Sequence, residues 1–160
     1  MKMEVYELNV EIIVPGKISA HLLPAYEYYL DRLDRYVNVN VSFVNLGGDV
    51  NVENPSVIKK REAEHIQKRL RGRSYILIDL GGRQLTSEEF AELISQHIPG
   101  KKELVFVIGG PVGVDETLKR EARSIIELSK MTFTHEFCVV ILLEQLFRAF
   151  KIIKNERYHY

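Results

Sequence analysis

Tryptophan is absent, cysteine occurs once and the charges cancel, with 22 Lys and Arg against 22 Asp and Glu. Each scarcity closes off a class of function. One thiol, Cys138, permits no intrachain disulfide and no cysteine-rich zinc site. Its apolar neighbours Phe137, Val139 and Val140 mark it as a buried thiol rather than a nucleophile. A formal net charge of zero announces no global attraction to nucleic acid, although it is compatible with a local basic face. The longest apolar run, Phe137 to Leu143, is far too short to cross a bilayer. The first fifteen residues carry Glu4, Glu7 and Glu11 instead of the basic-then-apolar layout of a signal peptide, so a cytoplasmic setting is expected.

Several catalytic signatures are missing as well. There is no G-x-x-x-x-G-K-[ST] phosphate loop, no H-E-x-x-H zinc motif and no G-x-S-x-G elbow. Gly109-Gly110-Pro111-Val112-Gly113 departs from the dinucleotide pattern G-x-G-x-x-G, and too few residues follow it for a full Rossmann sheet. The histidines are scattered, so no metal site is expected, and His21, His65 and His97 read as exposed or core side chains.

What is present suits one α/β domain spanning residues 1–160. Residues 3–14 alternate, with Tyr6, Leu8, Val10 and Ile12 on one face and Glu7, Asn9 and Glu11 on the other, as in a half-buried strand stopped at Pro15-Gly16. Ser19 is placed to cap a helix with Leu22, Tyr26, Leu30 and Leu33 inward, and Val37 to Phe43 alternates as a second strand. After a loop rich in Gly and Asn comes an amphipathic helix, Ser56 to Leu70. Its Lys59, Lys60, Arg61, Lys68 and Arg69, with Arg71 and Arg73 beyond, form either a solvated face or an RNA contact.

Tyr75 to Leu80 is an apolar strand broken only by Asp79, and Gly81-Gly82-Arg83 is expected to turn the chain. Thr86 and Glu89 have the spacing of a capping box before a helix that ends at Pro99-Gly100. The strand Leu104–Ile108 follows, then a helix capped by Asp115 and carrying Leu118, Ala122, Ile125 and Ile126. The last helix, Glu136 to Lys154, is apolar nearly all round and must be buried in a core or a subunit interface. Alternating strands and helices predict a mostly parallel sheet flanked by helices. A buried strand that ends in glycines lets backbone approach a ligand closely, so Gly109 marks a candidate small-molecule site.

Three ordered segments carry a family likeness. They are Phe106-Val107-Ile108-Gly109-Gly110-Pro111-Val112-Gly113, Leu128-Ser129-Lys130-Met131-Thr132-Phe133-Thr134-His135 and Leu143-Glu144-Gln145-Leu146-Phe147-Arg148-Ala149-Phe150, with Tyr158-His159-Tyr160 at the end. Together they resemble the RlmH family of SPOUT methyltransferases, which methylate N3 of a pseudouridine in 23S rRNA. The likeness covers essentially the whole chain. It implies an α/β fold with a deep C-terminal trefoil knot over roughly residues 104–160, a homodimer packed through that region, and S-adenosylmethionine (AdoMet) as cofactor.

Carried over position by position, the likeness places AdoMet contacts at Ile78, Gly109 and Leu128, Ser129, Lys130, Met131, Thr132 and Phe133. It makes Tyr158 and His159 candidates for closing over the reacting base, with His135 and Arg148 as further catalytic candidates. The plain alternatives are a cap or core histidine at His135 and a dimer salt bridge at Arg148; Glu144 reads as a structural partner. The implied partners are 23S rRNA, within the assembled ribosome, and a second copy of the chain, with no metal and no membrane. Two family cations are absent, since Val139 stands where the family has arginine and Tyr160 where its tail ends in Arg or Lys. Beside the enzyme reading stand a non-catalytic knotted dimer that binds RNA or ribosomes, and a methyltransferase for another RNA base.

Overall fold

The computed structural model describes residues 5–100 and 102–158. The first residues of the expected N-terminal strand, together with His159 and Tyr160, lie outside that range. Ten elements alternate along the chain: β1 (Tyr6–Pro15), α1 (Leu23–Leu33), β2 (Val37–Val44), α2 (Pro55–Leu70), β3 (Ile76–Arg83), α3 (Ser87–His97), β4 (Glu103–Ile108), α4 (Glu116–Glu121), β5 (Ser124–Ile126) and α5 (His135–Ile153). The strands form one sheet in the order β2-β1-β4-β3-β5, and each neighbouring pair is parallel.

The pleat sorts the core into two layers. Val10, Ile12 and Val14 of β1, Ile76 and Ile78 of β3, and Leu104, Phe106 and Ile108 of β4 join the side that holds Leu33 of α1, Ile94 of α3 and Leu146 of α5. The alternate residues Ile13, Leu77, Val105 and Val107 face Ala63, Ile66 and Leu70 of α2 and Leu118 of α4. This period of two explains why β3 and β4 read as continuous apolar runs: helices cover both of their faces.

Local signals set most boundaries. Thr86 and Glu89 form the complete capping box at the start of α3. Asp115 caps α4 by accepting from the Thr117 N–H, and Thr134 caps α5 by accepting from the Phe137 N–H. Asn54 caps α2, with Pro55 in the first turn. The Ser19 side chain, in contrast, caps no helix. Helix α1 starts four residues later behind Leu22, with Pro24 in its first turn, and the Ser19 hydroxyl instead donates to Glu136 Oε2 at 2.8 Å.

Three further expectations need correction. The helix expected to run to Ile126 stops at Glu121, and Ser124–Ile126 forms β5 in register with Ile76–Ile78. A three-residue edge strand is too short to show any period, and pairing with β3 satisfies its backbone. Gly81-Gly82-Arg83 does not end β3; it bulges the strand, so that both Ile78 and Arg83 oppose Ile126. A Cβ on Gly82 would lie 2.6 Å from the Ile125 carbonyl oxygen, so only glycine lets the edge strand approach there.

Glu11, expected on a solvated face, is buried on the α2 side of the interior strand β1. Its carboxylate accepts from Arg69 Nε at 2.8 Å and Arg73 Nη1 at 3.1 Å, and Arg73 also pairs with Glu103. Arg69 and Arg73 are therefore part of the fold rather than a free basic face.

Candidate functional site

Because every strand pair is parallel, all the strands finish at one edge of the sheet, where open α/β folds form their ligand crevices. A cavity of about 370 Å³ opens there, within the range of small-molecule sites. Four segments wall it: Ile78, Asp79 and Leu80 of β3; Gly109, Gly110 and Val114 after β4; Leu128, Ser129 and Met131 to Phe133 after β5; and His135, Glu136 and Cys138 in the first turn of α5.

The glycine loop is a tight turn. Gly113, at φ +97°, donates its N–H to the Gly110 carbonyl at 3.1 Å. A Cβ on Gly109 would run into the Val114 side chain and come within 3.4 Å of the Gly113 backbone, so the turn closes on itself only with glycine. The second loop is ordered locally, since the Ser129 hydroxyl accepts from the Met131 N–H at 3.0 Å.

The cavity brings together most of the residues singled out in the sequence. Ile78, Gly109, Leu128, Ser129, Met131, Thr132, Phe133 and His135 all line it. Lys130 is exposed and outside the lining. Arg148 and Tyr158 line a separate polar cavity, with Lys151 and Arg157, that shares no residue with the first. There the Arg148 guanidinium lies 4.7 Å from the Tyr158 ring centroid. Both side chains donate to Glu144 Oε1, at 2.6 Å from Arg148 and 3.2 Å from Tyr158. Burial, followed by the Glu144 charge, pushes the Tyr158 hydroxyl above its ordinary pKa.

His135 is half-buried, and burial holds its pKa below the ordinary value against the opposing charge of Glu136. Its ring is therefore largely neutral near pH 7 and offers one acceptor nitrogen. Cys138 is half-buried rather than buried, and it stands in the cavity wall. Desolvation pushes its pKa up to about 11, so it stays a thiol and not a nucleophile.

Two charged lining residues were missed by the motif reading. Asp79 sits 3.7 Å from Lys119 Nζ, and Glu136 accepts from Ser19 and lies 3.8 Å from His21 Nε2. Both carboxyl groups border a mainly apolar cavity, which favours a ligand carrying positive charge. A signal for Asp79 existed, because it interrupts an otherwise apolar strand at the end where ligands bind.

The basic helix approaches the same mouth. Lys59 Nζ would stand 3.9 Å from a Cβ on Gly113. Lys60 of α2 and Arg120 of α4 both act electrostatically on Asp115, the cap that follows the glycine loop.

Comparison with known proteins adds an independent line. A family model described as "Predicted SPOUT methyltransferase" matches residues 8–159. A protein of Thermosipho melanesiensis named ribosomal RNA large subunit methyltransferase H is 51% identical over 153 residues, covering 96% of this chain and 100% of the relative. Its namesake in Pseudothermotoga lettingae is 43% identical over 154 residues, with the same coverage of both chains. Among solved structures, a "probable methylase family protein" of Haemophilus influenzae superposes with a TM-score of 0.57 at 11% identity, over 97% of this chain and 71% of that one. This last likeness concerns the fold alone.

Proposed function

The chain belongs to the RlmH family of SPOUT methyltransferases, and on that premise we propose that it transfers the AdoMet methyl group to N3 of a pseudouridine in 23S rRNA. The observation that carries this reading is the cavity itself. One space at the carboxyl edge of the sheet collects Ile78, Gly109 and, from the loop after β5, Leu128, Ser129 and Met131 to Phe133, three segments far apart in sequence.

The lining suits the cofactor. Ile78, Leu128 and Phe133 offer apolar walls to an adenine ring, and the turn from Gly109 to Gly113 brings backbone groups close without intervening side chains. Asp79 and Glu136 supply negative charge for a ligand with a sulfonium and an ammonium group. When bound, AdoMet supplies an electrophilic methyl group on a sulfonium sulfur.

The nucleophile needs help from the protein, because N3 of the base attacks well only after losing its proton. His135, neutral and at the cavity wall, is the proton acceptor in this reading. The cations Lys59 and Lys60, beside the glycine loop and its Asp115 cap, are suited to hold the RNA backbone.

Two further features belong to the proposal. The carboxy-terminal region from β4 through α5 forms a trefoil knot, supported by the tight passage of Gly82 against Ile125 and by the return of α5 across the sheet to α1 and α3. The protein acts as a homodimer, supported by Met131, Phe133 and Phe137, which leave large apolar surface in solvent beside the cavity. Within such a dimer Tyr158 and His159 of one protomer serve the cavity of its partner, since Tyr158 lies apart from the cavity of its own chain.

Calorimetric titration with AdoMet tests the cofactor, and an absence of binding at millimolar ligand overturns the reading. Mass spectrometry of 23S rRNA from a strain lacking the protein tests the target. Loss of the N3-methylpseudouridine is expected; its persistence would show that the substrate is a different base.

A further inference from the structure

Among the described residues, Oε1 of Glu62 is a buried side-chain oxygen with no hydrogen-bond partner. Glu62 is only 2% exposed, and a buried carboxyl group with an unpaired oxygen is costly enough to call for an explanation. The group lies on α2, between two backbone turns. On one side the Gly47 N–H donates to Oε2 at 3.0 Å. On the other side is Gly110 of the cavity wall, where a Cβ would collide with Oε1 and come within 2.9 Å of Cδ and 3.0 Å of Oε2.

The Gly47 side is equally close. A Cβ there would meet Cγ of Glu62 at 3.0 Å, and also the Ile58 carbonyl oxygen. Other α2 side chains hold the same β2–α2 loop. Arg61 Nη1 donates to the Gly47 carbonyl at 3.1 Å, and the His65 ring shares a 2.7 Å hydrogen bond with the Asn45 carbonyl. One carboxyl group thus fixes the spacing between a loop clamped to α2 and the glycine turn that faces the ligand.

From this geometry we infer that Glu62 is a positioning residue of the cofactor cavity, setting the place of the Gly110 turn and through it the affinity for AdoMet. The inference rests on the AdoMet reading of the cavity given above. A carboxyl group suits the task because it has the reach to touch Gly110 while also satisfying the Gly47 N–H, which an aliphatic side chain of that size would leave unbonded. Burial raises its pKa, and the Gly47 N–H and the His65 charge oppose that rise. Glutamine, with the same shape and no charge, is accordingly the conservative replacement.

A double-mutant cycle on the full-length protein tests the contact. AdoMet affinity is read by calorimetry, and KM for AdoMet and kcat are read on ribosomal substrate. G110A alone should raise Kd and KM for AdoMet about tenfold or more, because its new methyl group pushes against the carboxyl. E62A alone should raise both by a similar factor with kcat at saturating AdoMet within about threefold, and E62Q should stay within about threefold of wild type throughout.

In E62A/G110A the added methyl group enters the space the carboxyl left. The combined loss should then fall short of the product of the single losses by about fivefold or more. Where the Ala background fails to fold, E62D carries the same cycle, since it draws the carboxyl back from Gly110 by one methylene. Multiplicative losses, or an E62A protein that melts earlier but binds AdoMet as wild type does, overturn the inference and leave Glu62 a plain structural residue. A wild-type protein that fails to bind AdoMet overturns the cofactor reading and this inference with it.

Discussion

The His135 ring leaves little room for a side chain on Gly16, although one opens the last helix and the other closes the first strand. A Cβ on Gly16 would stand 3.0 Å from Nε2 of His135. Gly16 also has φ +95°, a conformation that side chains resist. Gly16→Ala should therefore cost about 1–2 kcal/mol of stability from backbone strain alone. It should also displace the His135 ring, lowering kcat about tenfold or more with little change in AdoMet affinity. Urea unfolding and steady-state methylation measure the two effects separately. A stability loss with unchanged kcat would detach His135 from the chemistry.

Much of the framework was legible because β3 and β4 carry period-two burial on both faces, and because Thr86 and Asp115 announce their helices by capping. What escaped was non-local. β5 exists because β3 offers it an open edge, and no pattern within Ser124–Ile126 records that. Glu11 looks solvated in sequence because its two arginines come from α2 and the turn after it. The cavity loops could be named from their family motif, but the carboxyl groups of Asp79 and Glu136 became cavity features only once the fold brought them there.

The glycine turn yields a sharper test than its flexibility suggests. Gly109→Val places branched carbon against Val114, itself only 7% exposed, so the loop must shift. AdoMet binding should fall by about a hundredfold or more, consistent with overpacking costs of ~1–3 kcal/mol or more, while the far-UV spectrum and the mass in solution stay those of the wild type. Unchanged affinity would reduce the loop to an ordinary turn.

Charge at the cavity predicts a different signature. Asp79→Asn removes one of two carboxylates bordering the cavity and leaves the volume nearly unchanged. AdoMet affinity should drop about three- to tenfold, in line with ~1 kcal/mol for a partly screened charge. A neutral adenosine analogue should bind the variant and the wild type alike. Equal losses for both ligands would mean that Asp79 acts through loop shape rather than charge.

The tail separates binding from catalysis. Tyr158 packs edge-on against Phe147, 4.7 Å between centroids, and donates to Glu144. Tyr158→Phe keeps the ring contact and loses the hydroxyl. AdoMet affinity should be unchanged, because Tyr158 is outside the cavity, and methylation should fall about tenfold or more if the hydroxyl serves the partner's reaction. Truncation after Asn155 should do the same more severely. Full activity in both would remove the tail from the mechanism.

Acid sensitivity of the fold traces to Glu11. Burial works against its ionisation, but the hydrogen bonds from Arg69 and Arg73, helped by Ser42, outweigh it, so the folded pKa lies below the ordinary 4.5. A lowered folded pKa means that the unfolded chain binds the proton first as pH falls. The stabilisation is thus fully present above the unfolded value, and it is lost progressively as pH drops through the folded one. Glu11→Gln turns an amide N–H₂ toward a guanidinium that formerly met a carboxylate, and should cost about 1–3 kcal/mol at pH 7. Urea unfolding of both proteins between pH 7 and pH 3 should show that difference holding to about pH 5 and shrinking below it. A difference that stays constant to pH 3 would mean the two arginines do not depress the Glu11 carboxyl.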